Sequence, residues 1–151
     1  MFMTAKIPWK QLAALLTLTA AFALCLLAGA DDAQTVSAAL PTDEELCLTY
    51  LESLGWETEQ KPTSERILLP ETFGEEFQDY LALQTEGGFN LESYGGKTIT
   101  RYSFTLTNYP TGEEGILADL LVLDGKIIGG ELRSSALDGF MVPLKAQNEA
   151  G

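Results

Sequence analysis

Residues 116–133 read Ile-Leu-Ala-Asp-Leu-Leu-Val-Leu-Asp-Gly-Lys-Ile-Ile-Gly-Gly-Glu-Leu-Arg, and this stretch decides the fold. Its first eight residues are apolar apart from one aspartate, which predicts a central, buried strand. Asp124-Gly125 follows, and this dipeptide favours a two-residue type I′ turn because both turn positions need positive φ angles. Residues 126–133 then return as a second strand. The stretch therefore predicts a β-hairpin.

A two-residue turn also fixes which residues of the hairpin face each other. Counting back from the turn, we expect Asp119 opposite Gly130 and Leu120 opposite Gly129. Asp119 is the only charge in its strand, and a buried carboxylate must be paired or have a raised pKa. The register therefore predicts a carboxylate beside a position that has no side chain.

Asp119 is the candidate site residue, and two interpretations of its surroundings stay open. In the first, it is a ligand-binding carboxylate beside the gap left by Gly129 and Gly130. In the second, it forms an internal ion pair with Arg101 or Arg133, and the two glycines form a bulge or allow an aromatic ring to approach closely. Replacing Asp119 with alanine separates the two, because only the ion pair predicts a loss of stability.

The sequence outside the hairpin predicts an α+β fold. Residues 98–108 alternate in polarity and predict a half-buried strand, and shorter strands are expected at 56–59 and 65–69. Apolar residues three and four positions apart predict helices over 42–54 and 73–86. We expect the two helices to pack on one face of a mostly antiparallel sheet of about four to five strands.

Two details of the helices bear on the core. Thr42 and Thr72 are each followed three residues later by a glutamate, a spacing that predicts a capping box at the start of each helix. Cys47 lies on the apolar side of the first helix and is expected to be a buried small hydrophobe. Gln84 extends the apolar side of the second helix, where we expect it to form a hydrogen bond with nearby backbone.

The N-terminal thirty residues differ from the rest of the chain. They contain two lysines and no acid, whereas residues 31–151 hold all 22 acids and have a net charge of −15. Residues 12–30 are uncharged and predict a signal peptide or a transmembrane anchor. If the segment is uncleaved, it contacts the membrane and the N-terminus is cytoplasmic. The expected domains are this segment (1–30), a linker (31–41), one α+β domain (42–145) and a disordered tail (146–151).

Composition excludes several classes of function. The chain has no histidine, which excludes Ser-His-Asp and Cys-His catalytic sets and histidine-ligated metals. Its two cysteines cannot form a four-cysteine metal site, and its net charge of −13 disfavours nucleic acid as a partner. No phosphate-binding loop, nucleophile turn or EF-hand pattern is present. We therefore expect no cofactor, no metal and no catalytic residues.

Several short segments resemble one known family. The segments are Leu69-Pro70, Phe73, Tyr80, Leu83-Gln84, Gly88-Phe89-Asn90-Leu91, Tyr94, Gly96-Lys97, Arg101-Tyr102, Asn108-Tyr109 and Gly125-Lys126-Ile127-Ile128-Gly129-Gly130. Together they resemble the domain-of-unknown-function family numbered 4830, small exported or membrane-anchored proteins of Gram-positive anaerobes. The resemblance covers about residues 42–141 and implies location and architecture. It supplies no catalytic residues, because the family has no established activity.

These observations predict an extracytoplasmic domain, membrane-anchored or secreted, that binds an envelope protein, a peptide or a small ligand without catalysis. One alternative is a carboxylate-based cell-envelope hydrolase, and another is the sensing ectodomain of a membrane regulatory complex. Two convergent carboxylates about 5–10 Å apart in a pocket would favour the hydrolase. An apolar groove or an unpaired strand edge would favour binding.

Overall fold

The computed structural model describes residues 40–59 and 61–150, and the predicted hairpin lies at the centre of the fold. Strand β3 (Ile116–Leu123) and strand β4 (Lys126–Ser134) are joined by Asp124 and Gly125. The φ angles of these two residues are 50° and 71°. Both are positive, as a type I′ turn requires, so the predicted hairpin and its turn are confirmed.

Five strands form one antiparallel sheet around this hairpin. The other three are β1 (Thr63–Leu68), β2 (Thr98–Thr105) and β5 (Met141–Pro143), and the order in the sheet is β1-β2-β3-β4-β5. The predicted α+β class with an antiparallel sheet is confirmed. The prediction of a strand at 56–59 is wrong, because that segment forms only one isolated β-bridge, between Thr58 and Leu106. Strand β5 was not predicted.

The two helices begin in different ways. Helix α1 (Asp43–Ser53) has the predicted capping box between Thr42 and Glu45. Helix α2 (Gln78–Glu86) is preceded by a 3-10 turn at 75–77, and the residue that precedes this turn is Gly74, which has no side chain to cap it. The capping box predicted at Thr72 is therefore wrong, because the chain enters α2 through this tighter turn.

The helices pack against opposite faces of the sheet, so the prediction that both lie on one face is wrong. Helix α1 covers the face that we call the α1 face, where its buried residues meet side chains from the three central strands: Cys47, Leu51, Phe104, Ala118, Leu120 and Leu132. Helix α2 and the turn before it cover the other face, the α2 face: Phe77, Tyr80, Leu81, Ile99, Leu121 and Ile128. Cys47 is fully buried, as predicted.

The reason lies in strand β3. Successive side chains of a strand point to opposite faces, and seven of the eight residues of β3 are apolar. Leu120 and Leu121 are both buried, one on each face. Each face therefore needs its own cover, which one layer of helices could not supply.

The described residues belong to one compact unit that starts at Leu40. Its last residues are attached to the body of the domain: residues 147–149 form a 3-10 turn, and the Gln147 N–H donates to the Leu54 carbonyl at 2.8 Å. The expectation that residues 146–151 form a disordered tail is therefore wrong for residues 146–150. The predictions for the N-terminal segment and for residues 31–39 lie outside the described residues. Among residues 40–59 and 61–150, no helix is long and apolar enough to cross a bilayer.

Candidate functional site

A β-bulge in the central hairpin decides which residue of β4 lies opposite Asp119. Near the turn, Val122 pairs with Ile127 as the two-residue turn dictates, but Leu121 then pairs with Gly129. Ile128 is therefore an extra residue in β4, and the pairing beyond it shifts by one position. As a result Asp119 lies opposite Glu131, and the predicted pairing of Asp119 with Gly130 is wrong.

Asp119 forms an ion pair on the α2 face. Its side chain is fully buried, and the Arg133 Nε donates to Oδ2 at 2.6 Å. The Arg101 Nε lies 4.0 Å from the same oxygen, and the Arg101 Nη2 bonds the exposed Glu65 at 2.8 Å. The structure therefore brings together Asp119 and both of the arginines singled out from the sequence. The other carboxylate oxygen, Oδ1, is buried without a hydrogen-bond partner.

Glu131 is a second buried carboxyl group directly across from Asp119, with 2% of its surface exposed. Helix α2 supplies its partners. The Gln84 Nε2 donates to Oε2 at 2.7 Å, and the Tyr80 hydroxyl lies 3.2 and 3.1 Å from the two oxygens. Glu131 therefore fastens α2 to the sheet. We call Asp119 and Glu131 together the buried acid pair.

The surroundings of Glu131 change its pKa. Burial, and next the negative charge of Asp119, raise the pKa of Glu131 to about 7, although the bonds from Gln84 and Tyr80 oppose the rise. Burial beside Glu131 also raises the pKa of the Tyr80 hydroxyl. In a buried site, it costs free energy to charge two carboxyl groups on neighbouring strands. Glu131 therefore keeps its proton at pH values at which an exposed glutamate has already lost it.

The two glycines make room for this arrangement. A Cβ on Gly129 would lie 2.8 Å from Leu121 Cδ1 and 2.9 Å from Gln84 Oε1. A Cβ on Gly130 would lie 2.8 Å from Leu144 Cδ2. The Gly130 N–H donates to Gln84 Oε1 at 2.9 Å, which confirms the hydrogen bond to backbone predicted for Gln84. The two glycines thus leave space for the side chains of Leu121, Leu144 and Gln84. The bulge itself lies at Ile128, one residue before them.

An apolar cavity lies beside the buried acid pair, between β1 and the segment that leads into α2. We call it the β1 cavity, and its volume is about 220 Å³. Most of its wall is apolar, and its lining includes Ile67, Leu69, Phe73, Phe77, Ile99 and Leu121. Tyr80 and Arg101 also line it. These two polar residues connect the cavity to the acid pair, because Tyr80 bonds Glu131 and Arg101 lies beside Asp119.

A larger cavity of about 550 Å³ lies at the loop after β2. Its wall contains three carboxylates, Glu59, Glu113 and Glu114, together with Tyr109. In the part of the chain that the structure describes, no group of three or more acidic or cysteine side chains is arranged to hold a metal ion.

Sequence reasoning missed Glu131, Tyr80 and Gln84 as members of the site. With the register expected from the turn, Glu131 would point to the opposite face from Asp119, because a slip of one residue moves a side chain across the sheet. The Gly129-Gly130 pair was the available signal, since glycine inside a strand marks a bulge or a close approach. The link to α2 had no signal, because it depends on which face the helix covers.

Comparison of the chain with protein-family models, with curated proteins and with solved structures gives no match.

Proposed function

We propose that this chain is an extracytoplasmic domain, exported or anchored through its N-terminal segment, that binds a partner at the β1 cavity and catalyses no reaction. The location is supported by the two N-terminal lysines, the uncharged run at 12–30 and the acidic remainder. The resemblance to family 4830 agrees with this location. Mass determination of the mature protein tests it: a chain that starts at Asp31 has lost its anchor, and an intact N-terminus supports the anchored form.

The observation that carries the binding function is the β1 cavity itself. Binding sites combine apolar walls with a few fixed polar groups, and this cavity adds Tyr80 and Arg101 to a mainly apolar lining. Hydrogen bonds fix the positions of both polar residues: Tyr80 bonds Glu131, and Arg101 bonds Glu65. Glu131 of the buried acid pair thus holds Tyr80 in the wall of the cavity, and this supporting role requires no catalysis.

Small apolar probes test the binding function. We expect 3-methylindole or p-cresol, which mimic tryptophan and tyrosine side chains, to shift the NMR methyl signals of Leu69, Ile99 and Leu121. The methyl signals of Leu51 and Leu132, on the α1 face, serve as the internal control and should not move. Shifts that are equally large on both faces, or no shifts at millimolar probe, would contradict a binding site at the β1 cavity.

A carboxylate-based hydrolase is the second candidate, and one observation favours it. Two neighbouring carboxyl groups have different environments: Glu131 has a pKa raised to about 7, and Asp119 is paired with Arg133. Two carboxyl groups in such different environments are typical of a catalytic acid and base pair. Against it, both groups are at most 2% exposed, and Glu131 already bonds Tyr80 and Gln84. Clearing of a purified cell-wall suspension that Glu131→Gln abolishes would favour the hydrolase over the binding role.

A further inference from the structure

Strand β1 has a free edge within residues 40–59 and 61–150. It is the first strand of the sheet and pairs only with β2 within the described residues. The backbone bond from the Leu69 N–H to the Lys97 carbonyl, 2.9 Å, fixes the alternation of the ladder. Odd-numbered residues of β1 therefore bond β2, and the N–H and C=O groups of Ser64, Arg66 and Leu68 point away from the sheet. This edge offers a row of hydrogen-bonding groups to another strand.

The two edges of the sheet differ in how well they are protected. Strand β5 is three residues long and ends in Pro143, which has no N–H to offer. Strand β1 is six residues long, contains no proline, and only Ile67 in it is partly buried. Leu68 is apolar but 70% exposed. Natural sheets shorten their edges or interrupt them with proline when they avoid pairing, so β1 is the edge that is open to a partner.

The β1 cavity lies directly beside this edge. Ile67, Leu68 and Leu69 contribute one wall, and Phe73 and Phe77 contribute another. A strand added to β1 would point every second side chain toward the α2 face, where the cavity lies. Drug-sized ligands occupy about 300–1,000 Å³. The cavity, at about 220 Å³, is smaller than that and suits a single apolar side chain.

Charge indicates what flanks that side chain. The segment 70–80, which supplies Phe73 and Phe77 to the cavity, contains four exposed acids and no base: Glu71, Glu75, Glu76 and Asp79. The described residues as a whole also carry a large excess of acids. A basic segment would be attracted to this surface, and an acidic one would be repelled.

We propose that β1 and the β1 cavity bind an extended, basic peptide segment of a partner protein, which adds to the sheet as a sixth strand and places one apolar side chain in the cavity. This proposal rests on the binding function proposed above and names the class of partner. Backbone hydrogen bonds to the free edge supply affinity, and the cavity and the acids of 70–80 supply selectivity.

A synthetic peptide tests this proposal on the full-length chain in a mild detergent. The fluorescently labelled peptide Lys-Thr-Lys-Thr-Leu-Thr-Lys-Thr-Lys puts the leucine and the lysines on one side of a strand, and its binding is followed by anisotropy. We expect Ser64→Pro to weaken binding about tenfold or more, because it removes an edge donor without breaking a bond to β2. Ser64→Ala keeps the N–H and should bind like the original chain.

Two further comparisons address the cavity and the charge. Ile67→Trp fills the cavity and should weaken binding about tenfold, whereas Ile67→Val should have little effect. A peptide with glutamate in place of every lysine should bind at least about tenfold more weakly than the basic one. If Ser64→Pro does not fold, the pair of Ile67 variants decides, since neither changes the backbone.

The outcomes separate this proposal from the binding function on which it rests. Equal binding by Ser64→Pro and Ser64→Ala overturns the proposal, as does equal binding of the basic and acidic peptides. If the basic peptide does not bind the original chain but 3-methylindole still shifts the methyl signals, the peptide proposal is overturned and the binding function stands. If neither the peptide nor 3-methylindole binds, both the peptide proposal and the proposed binding function fail. A dimer in sedimentation that Ser64→Pro dissociates would also overturn the proposal, because it would make a second copy of this chain the occupant of the edge.

Discussion

Glu131→Gln should make the domain more stable at alkaline pH. The folded domain raises the pKa of Glu131 from 4.5 to about 7, and one pKa unit corresponds to about 1.4 kcal/mol. Below pH 4.5 the carboxyl is protonated in both states and costs nothing. Between pH 4.5 and 7 the unfolded chain loses the proton first, so the stability falls as the pH rises. Above pH 7 the full cost, about 3 kcal/mol, is present, and an uncharged glutamine avoids it.

Urea unfolding of residues 40–151, followed by the fluorescence of the buried Trp56, measures this effect across about pH 5 to 9. The original domain should lose stability over this range relative to Glu131→Gln, and the two should be similar near pH 5. Glu92→Gln is the matched control, because Glu92 is exposed and should follow the original domain at every pH. Parallel curves for Glu131→Gln and the original domain would refute the reasoning, as would a variant that is less stable throughout.

Three further predictions concern the same region. Asp119→Ala should cost about 2 kcal/mol in urea unfolding, because it removes the carboxylate that bonds the partly exposed Arg133, and unchanged stability would refute the structural ion pair. Gly129→Ala should lower the free energy of unfolding by about 2 kcal/mol, because its Cβ would lie less than 3 Å from Leu121 and Gln84. Gly87→Ala is the control: its Cβ would have no neighbour closer than 3.4 Å, so it should change the free energy of unfolding much less. The Cys47 thiol is fully buried and its pKa is raised to about 12, so a thiol reagent at about pH 8 should label it in urea but not in the folded domain; rapid labelling of the folded domain would contradict the burial.

The elements that could be predicted from the sequence are those with local signals. The hairpin followed from Asp124-Gly125, and the start of α1 followed from Thr42 and Glu45, because in each case a few adjacent residues determine the geometry. The alternation of polarity in residues 98–108 likewise located β2.

The features that were missed depend on the packing of distant segments. The extra residue Ile128 shifts the pairing by one, and no local pattern says at which residue a bulge starts. This shift decided whether Glu131 meets Asp119. The placement of α2 on its own face of the sheet was missed for a similar reason: an amphipathic helix indicates that it has a buried side, but not which surface covers it. Asp119 and its two arginines could therefore be predicted from the sequence. The position of Glu131 beside them, and its bonds to Tyr80 and Gln84 of α2, depend on how the segments pack.

Amide hydrogen exchange tests most directly the claim that β1 is a binding edge. The amides of Ser64, Arg66 and Leu68 point away from the sheet, so they should exchange quickly in the free full-length chain. After addition of the basic peptide, we expect these three amides to exchange more slowly, while those of Glu65 and Ile67, which already bond β2, change little. Unchanged exchange at Ser64, Arg66 and Leu68 in the presence of bound peptide would contradict the account, because the peptide would then bind elsewhere on the domain.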